Sequence, residues 1–147
     1  MYLCDKLFMK LIRTLLKRYI LTLLTLILIL CLTFYKPIGF ERTSTIVGMD
    51  KFVHFVMYFT LCAVFWYENF KITLKPKMSF MVVFAVIVPI IFSGVMEYFQ
   101  YLFTSYRTGD FDDFVFNTIG VVAALFFSLF VTKPFMKKKD RREPDCK

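Results

Sequence analysis

The sequence predicts an all-α membrane protein with four transmembrane helices and an amphipathic helix at the N-terminus. The chain has 147 residues, of which 59% are apolar and 20 are Phe, and its mean hydropathy is +0.64. A soluble domain of this size could not cover so much apolar surface. The apolar residues form four runs separated by short polar loops. The net charge of +8 is concentrated beside these runs, which favours a role in membrane topology and argues against nucleic-acid binding.

The N-terminal segment, residues 1–18, has the pattern of a basic amphipathic helix. Leu and Phe recur at helical spacing, and Lys and Arg lie between them. No small-x-small cleavage site follows the first apolar run, so we expect an uncleaved anchor rather than a signal peptide.

Residues 19–133 form the predicted transmembrane domain. The four spans are expected at about residues 19–35, 52–67, 78–103 and 114–132. Pro89 predicts a kink in the third span, because proline cannot donate a helical hydrogen bond, and Lys133-Pro134 ends the fourth apolar run. Residues 134–147 form a basic tail.

Lys and Arg are distributed unequally between the two sides of this bundle. Four spans place both termini on one side, and that side carries 15 Lys and Arg residues against 4 on the other. The positive-inside rule therefore predicts that both termini are cytoplasmic and that the loops 36–51 and 104–113 face outward.

Polar residues gather at the predicted outer end, in or beside apolar sequence. An ionisable group is costly there and is a functional-site candidate by default. The predicted ligand-binding residues are Asp50, Lys51, His54, Glu97, Gln100, Arg107, Asp110, Asp113 and Asn117. An α-helix rises about 1.5 Å per residue, which places the candidate residues of the second, third and fourth spans at a similar depth in the membrane. Gly120 and Ala124 continue the stripe of Asp113 and Asn117, so this stripe should face other helices.

Several roles are open for these residues. Glu97, His54 and Asp113 are candidates for a catalytic general base. Arg107 and Lys51 could bind a phosphate or a carboxylate. The polar groups could also serve only to hold the third and fourth helices together.

Other chemistries are disfavoured by the spacing of the residues. Three polar residues of the set could in principle ligate a divalent cation, namely His54, Glu97 and Asp113. No HxxxH or DxxD-type spacing supports this, and no metal or other cofactor is predicted. The four cysteines form no CxxC motif, and no Ser or Cys lies beside a credible base, so a nucleophilic triad is not expected.

Two segments together carry a family pattern. Residues 50–61 read Asp-Lys-x-x-His-Phe-x-x-Tyr-x-x-Leu. The second pattern is Glu-x-x-Gln, then Arg, then Asp-x-x-Asp-x-x-x-Asn-x-x-Gly, carried by Glu97, Gln100, Arg107, Asp110, Asp113, Asn117 and Gly120. The combination resembles the VanZ-like family of small bacterial membrane proteins, over about residues 48–130. Two departures are Ser105-Tyr106, where the family often has a proline, and Ala124 in place of a second glycine.

The resemblance implies a multi-pass protein of the bacterial cytoplasmic (inner) membrane with a role at the cell envelope. The founding member of the family is linked to low-level resistance to teicoplanin, a glycopeptide that binds cell-wall precursors on the outer face. We therefore expect membrane lipids and an anionic lipid-linked precursor as partners, with a homodimer compatible with so thin a bundle. The alternatives are a membrane enzyme that uses Glu97 or His54 as general base, and a structural or partner-binding membrane subunit.

Overall fold

The computed structural model describes residues 6, 9, 13–34, 49–103 and 111–142, which are helical apart from a bend at Tyr19 and the connection 73–77. The helices are α1 (Ile20–Phe34), α2 (Met49–Ile72), α3 (Met78–Val82, Val83–Ile87 and Val88–Phe103) and α4 (Phe111–Phe127, Ser128–Thr132 and Lys133–Arg142). This part of the chain contains no strand, so the all-helical prediction is confirmed there.

The four helices alternate in direction, and α2 and α4 form the central pair. Lys51 near the start of α2 pairs with Asp112 near the start of α4. Phe70 near the end of α2 shares an apolar cluster with Met136 late in α4, so these two helices run parallel along their length. The start of α1 is bonded to the end of α2, and the end of α3 to the first half of α4, which makes both of these pairs antiparallel.

The helices α2 and α4 approach most closely at Gly120. A Cβ atom at this position would lie 2.5 Å from the carbonyl oxygen of Phe55 and 3.1 Å from the backbone nitrogen of Phe59. Only glycine permits this approach, and Ala124 one turn later is fully buried. The stripe of small residues therefore faces another helix, as small residues at membrane-helix interfaces do.

Polar side chains lie inside the bundle, whereas its surface is largely apolar. The buried polar residues are Thr33, His54, Glu68, Asn69, Ser93, Gln100, Asp113, Asn117 and Ser128. The exposed surface carries large apolar side chains such as Leu28, Phe84, Ile91 and Phe130. This distribution is the reverse of that in a soluble domain and suits a protein surrounded by lipid.

Two stretches of the described chain are long and apolar enough to cross a membrane. They are Met78–Leu102 in α3 and Phe111–Lys139 in α4. The apolar stretch Ile20–Thr33 in α1 is shorter. Residues 13–18, within the predicted amphipathic segment, are helical and exposed, and most of residues 1–12 lie outside the described part of the chain.

Pro89 and Pro134 both lie within helices that continue past them. A π-helical turn, Val83–Ile87, precedes Pro89, and another, Ser128–Thr132, precedes Pro134. Proline lacks an N–H group and crowds the carbonyl four residues earlier, and a wider turn gives that carbonyl room. Past Pro134 the helix continues to Arg142, so α4 extends beyond the predicted fourth span into the basic tail.

A buried carboxylate at the end of α2 caps the start of α1. Glu68 accepts hydrogen bonds from the backbone nitrogens of Leu21 and Thr22, at 2.9 and 3.2 Å, and from the Thr22 hydroxyl at 2.6 Å. The first N–H groups of a helix have no acceptor in their own helix, and a carboxylate there also complements the helix dipole. The Tyr19 hydroxyl donates to Asn69 Oδ1 at 3.2 Å, which adds a second polar link between α1 and α2.

We expect the substitution Gly120→Ala to lower the free energy of unfolding by about 1–3 kcal/mol, because its Cβ collides with backbone atoms of α2. Thermal unfolding in detergent would measure this loss. Gly94→Ala is the matched control, since a Cβ there meets only the Phe114 side chain, at 3.4 Å. Alanine is the better helix former by about 1 kcal/mol, so the control should be neutral or stabilising. Equal losses in both variants would contradict a close approach at Gly120.

We expect the substitution Glu68→Ala to loosen α1 selectively, because the amides of Leu21 and Thr22 lose their acceptor. A buried donor without a partner costs about 1–3 kcal/mol. Hydrogen exchange should therefore accelerate in residues 20–34 more than in α4. Lys71→Ala, an exposed change one turn further along α2, is the control. Unaltered exchange in α1 of the Glu68 variant would disprove the capping role.

Candidate functional site

Three helices bring predicted site residues together at the end of the bundle where α2 and α4 begin. His54 of α2 contacts Glu97 of α3 and Asp113 of α4. Its Nδ1 atom is 3.7 Å from Glu97 Oε1, and its Nε2 atom is 3.6 Å from Asp113 Oδ2. One imidazole ring therefore faces carboxylates of two different helices.

Asn117 joins three of the neighbouring polar groups. Its Nδ2 atom donates to Ser93 Oγ at 2.8 Å and to Glu97 Oε1 at 3.2 Å, and its Oδ1 atom is 3.2 Å from His54 Nδ1. Because the amide nitrogen is the donor, the amide oxygen accepts, and His54 Nδ1 carries the proton of that hydrogen bond. Five residues form this network, and we call them the polar cluster: His54, Ser93, Glu97, Asp113 and Asn117.

The polar cluster is withdrawn from the surface. The side chains of His54, Glu97 and Asp113 are only 5%, 11% and 6% exposed. Buried ionisable groups are costly even when they are paired, and a network of them is weak support for stability. Their burial at contact distance therefore marks this cluster as the candidate functional site.

An ion pair lies at the edge of the polar cluster. Lys51 pairs with Asp112, and their side chains are 32% and 56% exposed. Lys51 Nζ also lies 5.9 Å from the centre of the Phe116 ring. The predicted anion contact Lys51 thus has a carboxylate partner, and an anionic ligand would compete with Asp112, which was not among the predicted site residues.

The other predicted site residues are placed differently. Gln100 Nε2 donates to the carbonyl oxygen of Thr33 at 3.4 Å, which links the ends of α3 and α1. Asp50 lies in the first turn of α2, but its side chain is not among those that the structure describes. Arg107 and Asp110 also fall outside the described residues.

Sequence reasoning missed Ser93. This residue lies one helical turn before Glu97, so the i, i+4 spacing could have identified it. A serine in an apolar run is a weak signal, however, because its hydroxyl can bond to its own helix. The Tyr58 hydroxyl shares a hydrogen bond with Ser93. Tyr58 lies one helical turn after His54, on the same face of α2.

An apolar groove of about 210 Å³ lies between α1, α2 and α3, and its wall begins at Thr22, the residue that bonds to Glu68. Its wall includes Leu26, Leu61, Val88 and Phe92. Phe92 directly precedes Ser93, so the groove extends along α3 to the level where the polar cluster begins. The groove is partly open rather than enclosed.

The chemistry of the polar cluster includes proton transfer and cation binding. His54 can exchange a proton with a neighbouring carboxylate, which is the arrangement that a general base requires. One nitrogen or oxygen atom from each of His54, Glu97 and Asp113 lies within 4.8 Å of the other two. Imidazole nitrogen and carboxylate oxygen are also ordinary metal ligands.

Comparison with known proteins identifies a family. The family model described as VanZ/LLP1 matches residues 9–132, which include all four helices up to the second π-helical turn and every residue of the polar cluster. No curated protein and no solved structure matches the chain. The resemblance found in residues 48–130 is thus confirmed and extends towards the N-terminus. The chain belongs to the VanZ/LLP1 family.

Proposed function

We propose that this protein spans the bacterial cytoplasmic membrane four times and binds an anionic, lipid-linked ligand of the cell envelope at its polar cluster. Two of the helices meet the length and apolarity of a membrane span. α2 runs parallel to α4, from the Lys51–Asp112 pair to the cluster of Phe70 and Met136. In this proposal α2 crosses the membrane beside α4, and α1 completes the bundle against α2.

The distribution of charge supports an orientation with both termini in the cytoplasm. In this orientation the side that carries 15 Lys and Arg residues is cytoplasmic. The basic helical residues 13–18 then lie along the cytoplasmic membrane surface, as an amphipathic anchor would. The starts of α2 and α4, and with them the polar cluster, are near the outer face.

The contact of His54 with Glu97 and Asp113 is the observation that carries this proposal. Three helices bury ionisable groups against one another, although apolar side chains would fill the same space at lower cost. In this proposal Lys51 and Arg107 contact the anionic head group. The polar cluster orders that head group or moves a proton.

The apolar groove supports a ligand that is itself a lipid. A lipid that enters from the side could place its acyl chain against Leu26 and Val88, with its head group at the level of Ser93 and above. Lipid-linked precursors on the outer face are also what glycopeptide antibiotics bind. A role in glycopeptide resistance is therefore part of the same proposal.

Lipid retention tests this proposal. We expect native mass spectrometry of the purified protein to show a co-purifying anionic lipid. Arg107→Ala and Lys51→Ala should reduce this lipid about tenfold, the equivalent of one charge-assisted hydrogen bond. Lys71→Ala, which removes a lysine at the other end of α2, should retain the lipid. Equal retention in all four proteins would contradict the assigned anion contacts.

A second candidate function is a membrane enzyme with Glu97 or His54 as general base. The hydrogen bond between His54 Nδ1 and Asn117 favours it, because a catalytic imidazole needs a fixed tautomer and a neighbouring carboxylate. Glu97→Gln should then retain the lipid but abolish its conversion, followed as a change in the mass of the bound lipid over time. If changes within residues 1–18 impair the protein more than Glu97→Gln does, the structural or partner-binding alternative would be favoured.

A further inference from the structure

We propose that His54, Glu97 and Asp113 form a binding site for a divalent transition-metal cation such as Mn²⁺ or Zn²⁺. This inference goes beyond the proposed function, because a cation can bind whether or not a lipid is present. It also differs from the expectation drawn from sequence, which rested on the lack of a local metal-binding motif. Each of the three ligands comes from a different helix, so no short sequence motif could have indicated the site.

The distances suit a metal centre that needs only small adjustments. One ligand atom from each residue lies within 4.8 Å of the other two. Bonds of about 2.0–2.2 Å in tetrahedral geometry place ligand atoms about 3.4 Å apart. Asp113 Oδ2 already lies 3.6 Å from His54 Nε2, whereas Glu97 Oε1 lies 3.7 Å from Nδ1, so a metal ion bound at Nε2 requires the Glu97 carboxylate to turn towards it.

The orientation of His54 provides a second, independent indication. Its Nδ1–H group donates to Asn117 Oδ1, so in the neutral ring the lone pair is on Nε2, the nitrogen 3.6 Å from Asp113. Histidines that bind metals usually donate their other ring N–H to an oxygen atom in this way, which fixes the tautomer and the plane of the ring. Asn117 is held in turn by its hydrogen bond to Ser93.

The charge of the three ligands also fits a divalent cation. Two carboxylates and a neutral imidazole carry a charge of −2, and buried charges are stable only when they are paired or coordinate a metal. A divalent cation cancels this charge. A mixture of imidazole and carboxylate ligands suits Mn²⁺ or Zn²⁺, whereas Ca²⁺ and Mg²⁺ prefer oxygen ligands alone. Three protein ligands leave coordination positions open for water or for an oxygen atom of a ligand.

Titration with Mn²⁺ tests the proposal. The full-length protein in detergent is stripped with EDTA and titrated with Mn²⁺, and free Mn²⁺ is measured by electron paramagnetic resonance. We expect one Mn²⁺ per chain, displaced by Zn²⁺. Asp113→Asn and Glu97→Gln should each weaken binding by at least about tenfold. Asp112→Asn is the matched control, because it makes the same chemical change one residue away in an exposed side chain, and its affinity should stay near that of the wild type.

Two results would overturn the proposal. One is the lack of saturable Mn²⁺ or Zn²⁺ binding by folded wild-type protein. The other is equal affinity in Asp113→Asn and Asp112→Asn. If the ligand variants fail to fold, the wild type still decides, since a site specific to the folded state raises the unfolding temperature as Mn²⁺ is added, and an unchanged temperature would exclude it. Lipid retained by protein that binds no metal would reject the cation site alone, and metal bound without lipid would reject only the lipid proposal.

Discussion

The backbone contact between α2 and α4 at Gly120 determines where the polar cluster can form. His54 directly precedes Phe55, whose carbonyl oxygen faces Gly120. The two helices run parallel, so their close approach places the imidazole at the level of Asp113 and Asn117. The 3.2 Å contact between His54 and Asn117 is near the outer limit of a hydrogen bond. A small increase in helix separation would therefore break it.

Buried carboxylates at the two ends of the bundle differ in how they are satisfied. Glu68 accepts three hydrogen bonds from the start of α1, and its burial is explained by helix capping. Glu97 and Asp113 instead both lie close to the imidazole of His54. Glu97 also accepts a hydrogen bond from the side-chain amide of Asn117. Capping needs no such arrangement, which is why the end with the polar cluster, and not the end with Glu68, is assigned a function.

Much of the site was predictable because polar groups are conspicuous in apolar sequence. His54, Glu97, Asp113 and Asn117 were identified in this way, and the rise of the helix was sufficient to place them at one depth. The rotation of each helix about its own axis was harder to predict from the sequence. Gln100 is close to Glu97 in sequence but bonds to α1, because its direction depends on which helices pack on either side of α3.

The errors have physical causes as well. Glu68 lies just beyond the predicted second span, where a charged residue normally indicates a loop, and only the start of α1 reveals its role. The extension of α4 past Pro134 could not be foreseen either, because the usual effect of proline on a helix does not include a wider turn before it.

The π-helical turn Val83–Ile87 also bears on which insertions and deletions α3 can tolerate. Inward-facing positions recur every four residues along this helix, at Met81, Ala85, Pro89, Ser93 and Glu97. A regular α-helix has about 3.6 residues per turn, so such a stripe would drift by about 40° at each step. The wider turn takes up one extra residue and so reduces the drift. A one-residue deletion within the turn would leave both halves of α3 in phase, whereas a deletion just before Glu97 would rotate its carboxylate about 100° away from the bundle interior.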